Sequence, residues 1–196
     1  MLQFIPCYEG EMDDSPLAPL HPLSGDMDDA AIFRFVQALC LHGDADAACA
    51  TPGDAIASLA ARDGQVLAGG LVVRDGNFLL EPSCCCGLED WWHWKDMQPG
   101  EPSPWLGHDP APWIEALPDR IILHLEGGQE PDVPRQHDGM LSVSYEAYEA
   151  ALARAEADLA AFRKRLEHWL YTHAPSATGA DVAARIANWF ALPKQD

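Results

Sequence analysis

Between Tyr145 and His173, apolar residues recur at alternating steps of three and four: Tyr145, Tyr148, Leu152, Ala155, Leu159, Phe162, Leu166, Trp169 and His173. That spacing returns side chains to one face of a helix, and its strictness is that of a heptad seam. It predicts a helix over 145–173, about 40 Å long at 1.5 Å per residue. Ser144 is its N-cap and Ala174-Pro175 its stop. So narrow a seam either packs against one element of its own domain or meets a second copy of the chain as a homodimer. Thr178-Gly179-Ala180-Asp181 then opens a last helix, with Val182, Ile186, Trp189 and Phe190 inward.

Earlier in the chain, Ile32, Phe33, Val36, Leu39 and Cys40 also keep helical spacing. Asp26, Asp28 and Asp29 suit the first turn of that helix, where the macrodipole favours negative charge, and His42-Gly43 supplies a stop. Thr51-Pro52-Gly53-Asp54 reads as an N-cap, a proline at the first helical position and an acid three on. Ile56, Leu59 and Ala60 form the buried face of this short helix, which ends near Asp63-Gly64.

From Gln65 the period shortens to two. Gln65–Val73 and Phe78–Glu81 flank Arg74-Asp75-Gly76-Asn77, and Asp-Gly between apolar runs signals a hairpin. Gly69-Gly70 inside the first strand points to a bulge or a close backbone approach. Arg120–Glu126 reads as a buried strand ended by Gly127-Gly128, followed by a polar loop over 129–139 and a strand over Met140–Ser144. Residues 1–23, with Pro6, Pro16, Pro19 and Pro22, suggest a short edge strand and a meandering arm. The sum is an α+β fold: a small, mainly antiparallel sheet, N-terminal helices and a long C-terminal amphipathic helix, in one domain spanning 1–196.

Composition narrows the function classes. A chain of 196 residues with 48% hydrophobic and 22% charged residues is that of a folded protein. No apolar run reaches the roughly 18–20 residues of a membrane span. MLQFIPCYEGEM has no basic start or long apolar run, so a cytoplasmic protein with its six cysteines reduced is expected. The formal net charge of −19 repels phosphate backbones and anionic lipid, which argues against nucleic-acid and membrane partners. It speeds encounter with a cationic protein, although solubility alone accounts for the same charge.

The segment Cys84–Glu115 resists a purely structural reading. It holds three consecutive cysteines and five of the seven tryptophans. Three chemistries compete for it. Cys84, Cys85, Cys86, His93, His108 and Asp109 include good zinc ligands, but no C-x2-C or H-x3-H spacing joins them. In extended backbone only Cys84 and Cys86 share a face. The rival reading is a tight buried turn closed by Gly87.

Carboxylates among tryptophans (Glu89, Asp90, Asp96, Asp109 and Glu115) suit a hydrolase that keeps one acid protonated. Glu89 and Asp90 equally favour the start of a short helix over 88–96, with Leu88, Trp91 and Trp92 inward. The third chemistry is recognition. Pro102-Ser103-Pro104-Trp105 and Pro110-Ala111-Pro112-Trp113 echo one another and present each indole on stiff backbone. The candidate binding residues are Glu89, Asp90, Trp94, Trp105, His108, Asp109, Trp113 and Glu115. No catalytic residue, metal ligand or cofactor is assigned.

CCCGLEDW (Cys84–Trp91) and WLGHDPAPWIE (Trp105–Glu115), followed by an amphipathic helix ending near Trp169, resemble a group of uncharacterised bacterial proteins. That group is similar to the small acidic proteins found among contact-toxin immunity factors. The resemblance covers residues 65–173 and implies a non-enzymatic, protein-binding or immunity-type inhibitor. Alternatives are a carboxylate-dependent hydrolase with a Trp-lined site and a zinc-binding protein.

Overall fold

Short-range signals in the chain set most element boundaries. In chain order the elements are β1 (Gln3–Glu9), β2 (Leu20–Pro22), α1 (Asp29–Leu41), α2 (Pro52–Ala60), β3 (Gly69–Asp75) and β4 (Phe78–Leu80). A 3-10 helix (Leu88–Asp96), β5 (Trp113–Ala116), β6 (Ile121–His124), β7 (Met140–Val143), α3 (Tyr145–His173) and α4 (Ser176–Trp189) follow. The computed structural model describes residues 1–10, 20–42, 49–83, 85–108, 111–127 and 139–194. Pro16, Pro19, Gly43, Gly128 and residues 129–138 of the polar loop lie outside them. The architecture is α+β with a long C-terminal helix, and among the described residues no helix is long and apolar enough to cross a membrane.

The 1–196 span contains two compact units, each drawn from two stretches of chain: Met1–Cys7 with Ala68–Glu156, and Tyr8–Leu67 with Ala157–Asp196. β1 and α3 run from one unit into the other.

In the first unit β3 lies beside β1 and pairs with β4, while β5, β6 and β7 form a separate antiparallel sheet. The strands therefore fall in two sheets rather than the one expected, because β5, four residues starting directly after Pro112, carries no length or alternation to announce it. Asp75 pairs with Phe78 across a two-residue loop, where Gly76 takes a φ of 56° that a side chain would disfavour. Gly70 takes a φ of 142°, which a side chain would strain, while a Cβ there would only reach ordinary contact with Cys86 Sγ and Pro82 at 3.4 Å. β1 is not an edge strand, since β3 lies along it in this unit and β2 in the other. Among the described residues β2 has three residues against seven in β1, so it does not cover the full length of β1 and a Pro without an N–H is tolerated there. Phe4 packs edge-on against Trp94 and Tyr148, and the Tyr148 hydroxyl donates to the Trp94 carbonyl at 2.9 Å.

The second unit is mostly helical. Asp28, rather than a first-turn acid, is the N-cap of α1 and accepts from Ala31 N at 2.7 Å. Thr51 caps α2 as its spacing predicts. Phe35 makes edge-on contacts with Phe162, Tyr8 and Phe190. The Arg62 guanidinium donates to the Leu39, Cys40 and His42 carbonyls, closing the C-terminal end of α1. α4 begins at Ser176, ahead of the expected Thr178 cap, because Pro175 already presets the entry. Trp189 is half-buried rather than inward, its indole N–H directed at the Asp63 carbonyl.

The α3 seam from Tyr148 to Trp169 is buried along its length. In the first unit Tyr148 meets Phe4; in the second, Phe162 meets Phe35 and Trp169 stacks on Phe33. Contacts within the chain thus cover the seam from Tyr148 to Trp169.

Burial pushes the Tyr8 hydroxyl up to about 12, with the Arg34 charge opposing in part, and raises Tyr148 as well. A phenol held neutral in the folded state contributes stability that is complete below pH about 10 and lost as pH rises through about 12. Tyr8 alone accounts for roughly 2–3 kcal/mol of that loss. Denaturant melts in this window should show it, and Tyr8→Phe should move the alkaline transition to higher pH.

Candidate functional site

The site is built on the 3-10 helix Leu88–Asp96 in the first unit. Apolar residues recur here every third position, at Leu88, Trp91, Trp94 and Met97, and all four are buried. A turn of 3.0 residues stacks them in one column, which a 3.6-residue turn would not. That period corrects the expectation of Trp92 inward: Trp94 goes into the core, and Trp92 is 41% exposed.

The same period lines up Asp90, His93 and Asp96 in a second column, with Asp90 Oδ1 3.8 Å from His93 Nε2. Glu89, Trp92 and Lys95 fall in the third. Lys95 is paired with Glu156 at 2.6 Å and sits over the Trp91 ring. Its charge is therefore compensated away from the acidic column.

The facing wall is Glu101–Trp105. Pro102 and Pro104 keep it extended, and four bonds fix it and its continuation at Leu106. Ser103 Oγ accepts from Ile114 N on β5 and donates to the Pro104 carbonyl, each at 2.9 Å. The Trp105 indole N–H donates to the Cys85 carbonyl at 2.9 Å. Ser83 N donates to the Leu106 carbonyl at 3.0 Å. His108 meets the Trp105 ring edge-on at 4.8 Å. Between wall and helix lies an open cleft of about 380 Å³ lined by Asp90, His93, Asp96, Glu101, Ser103 and Trp105, with Pro102 and Pro104.

Of the residues singled out from sequence, Asp90 and Trp105 line this cleft, and His108 buttresses Trp105. Glu89 lies against Gly87, where an added Cβ would collide with its carboxylate. Trp94 is core. Trp113 and Glu115 share a face of β5: Trp113 stacks flat on His124 at 3.9 Å, and Glu115 Oε2 lies 3.5 Å from His124 Nε2. Asp109 and Cys84 lie outside the described residues. From sequence alone His93 is a candidate metal ligand and Asp96 a candidate hydrolytic acid, and nothing in the pattern marks Glu101 or Ser103. A three-residue count along Asp90, His93 and Asp96 was the available signal.

Cys85 and Cys86 lie in a turn rather than an extended strand. Cys86 N donates to the Ser83 carbonyl at 3.2 Å, and Cys85 has a φ of 64°. Cys85 is exposed and Cys86 buried, with Cys86 Sγ 3.7 Å from the Trp105 carbonyl. Among the described residues no group of three or more His, Cys, Asp or Glu could hold a metal ion.

Chemically the cleft offers acceptors and one aromatic face. The Ser103 hydroxyl is engaged in both directions, so it is not set up as a nucleophile. Asp90 and Asp96 are two 3-10 turns apart, so their backbone positions are separated by about 12 Å along the axis. A cation meets better complementarity, with carboxylates to neutralise it and an indole to stack on. No protein family, curated protein or solved structure matches the chain.

Proposed function

We propose that this protein acts by binding a cationic protein partner at the Asp90–Trp105 cleft, as an inhibitor of immunity type. One observation carries the reading: three carboxylates share a cleft with a rigidly held indole that is 42% exposed. Trp is the residue most enriched at binding hot spots, and the carboxylates around it select for positive charge. The net charge of −19 adds long-range attraction for the same class of partner.

Oligo-arginine serves as the probe. Its affinity should fall steeply between low salt and physiological salt, because exposed charge pairs are screened over about 8–10 Å. Replacing Glu126, Glu146 and Glu149, which lie off the cleft, by glutamine should change it little. Equal losses from these control changes and from changes in the cleft would reduce the binding to diffuse charge.

The grouping of Asp90, Asp96 and Glu101 in one cleft beside Trp105 also suits a carboxylate-dependent hydrolase. In that reading Glu101 acts with one of the two aspartates. Turnover of chromogenic glycosides by the intact protein, lost in Glu101→Gln, would favour it over binding alone.

A further inference from the structure

The column Asp90, His93, Asp96 has a repeat that a ligand must match. One 3-10 turn advances about 6 Å, so the backbone positions of the two aspartates are about 12 Å apart along the axis, with His93 between them. An extended strand advances about 3.3–3.4 Å per residue and points alternate side chains to the same side. Its same-side residues are therefore about 6.7 Å apart, and positions i and i+4 about 13 Å apart. An α-helical ligand advances only 1.5 Å per residue, so positions i and i+4 are about 6 Å apart along its axis.

Building on the cationic-partner reading, we infer that the cleft takes an extended segment of the partner with arginines at positions i and i+4. Asp90 and Asp96 each receive one guanidinium, and a small polar residue at i+2 faces His93. Lysine fits less well. The planar guanidinium binds a carboxylate through two parallel bonds and stacks on an indole, and Trp105 stands fixed on the facing wall with Glu101 beside it. The cleft volume of about 380 Å³ is near the lower end for ligand sites, room for a pair of side chains rather than a folded element. Two prolines stiffen the wall, so the geometry is set before the ligand arrives.

Two short peptides of one composition, each with two arginines among serines and glycines, test this. One has the arginines four positions apart; the other has them adjacent. The spaced peptide should bind about ten-fold more tightly at low salt, and Asp96→Asn should bring its affinity down to that of the adjacent one. Replacing its arginines by lysines should also weaken it several-fold. Equal affinities for the two arginine peptides, both lost when the cleft carboxylates are neutralised, would overturn the spacing inference and leave the cationic-partner reading standing. Failure of either peptide, and of oligo-arginine, to bind would remove both.

Discussion

Neutralising the three cleft carboxylates together, as Asp90→Asn, Asp96→Asn and Glu101→Gln, should weaken binding of a cationic partner by about a hundredfold at low salt. Each partly exposed ion pair contributes up to about 1 kcal/mol, and three of them sum to about 3 kcal/mol, or two factors of ten in affinity. The loss should shrink at high salt, where the intact protein binds weakly too. Stability should stay constant or rise slightly, because the change removes repulsion between like charges on a strongly acidic chain. Titration with oligo-arginine alongside a denaturant melt separates the two effects. A fall in binding that tracks a fall in stability would place these residues in the fold, not in recognition.

Trp94→Ala is expected to have the largest effect on folding in this region. The ring is 3% exposed and packs edge-on against Phe4. Truncating a buried aromatic costs about 3–5 kcal/mol through lost burial and the cavity left behind. The Trp94 carbonyl also receives the Tyr148 hydroxyl, so the shift would disturb a second buried group. Because Trp94 shares the 3-10 helix with Asp90 and Asp96, binding should be lost along with structure. Trp105→Ala should behave in the opposite way, costing affinity with a smaller loss of stability, since the residue is 42% exposed. A thermal melt of each variant decides between these roles. Similar melts for the two would contradict the division of the tryptophans into core and site.

How much of this was legible in the sequence varies with the range of the interactions. α3 was readable to the residue because its 3–4 spacing repeats over many turns, and Ser144 bonds Ala147 N as a cap does. α2 and the β3–β4 hairpin were readable because Thr51-Pro52 and Gly76 act locally. β5 was not, since its four residues gain their identity from pairing with β6. Nor was the division into two interleaved units, which depends on residues 1–7 meeting 68–156 with nothing local to announce it.

The site was half legible for a similar reason. Asp90 and Trp105 stood out by residue type, and their meeting depends on Ser103 reaching Ile114 and on Trp105 reaching Cys85. The turn type mattered as much. Read with α periodicity, the segment 88–96 buries Trp92; with three residues per turn, it buries Trp94 and aligns Asp90, His93 and Asp96.

Cationic recognition should be localised to the cleft rather than spread over the acidic surface. Amide and indole NMR shifts, followed while oligo-arginine is added at low salt, address it residue by residue. The largest changes are expected at Asp90, His93, Asp96 and Glu101 and at the Trp105 indole N–H, with Trp94 and the exposed acids of α3 nearly still. Comparable shifts at Glu146, Glu149 and the cleft residues would contradict it.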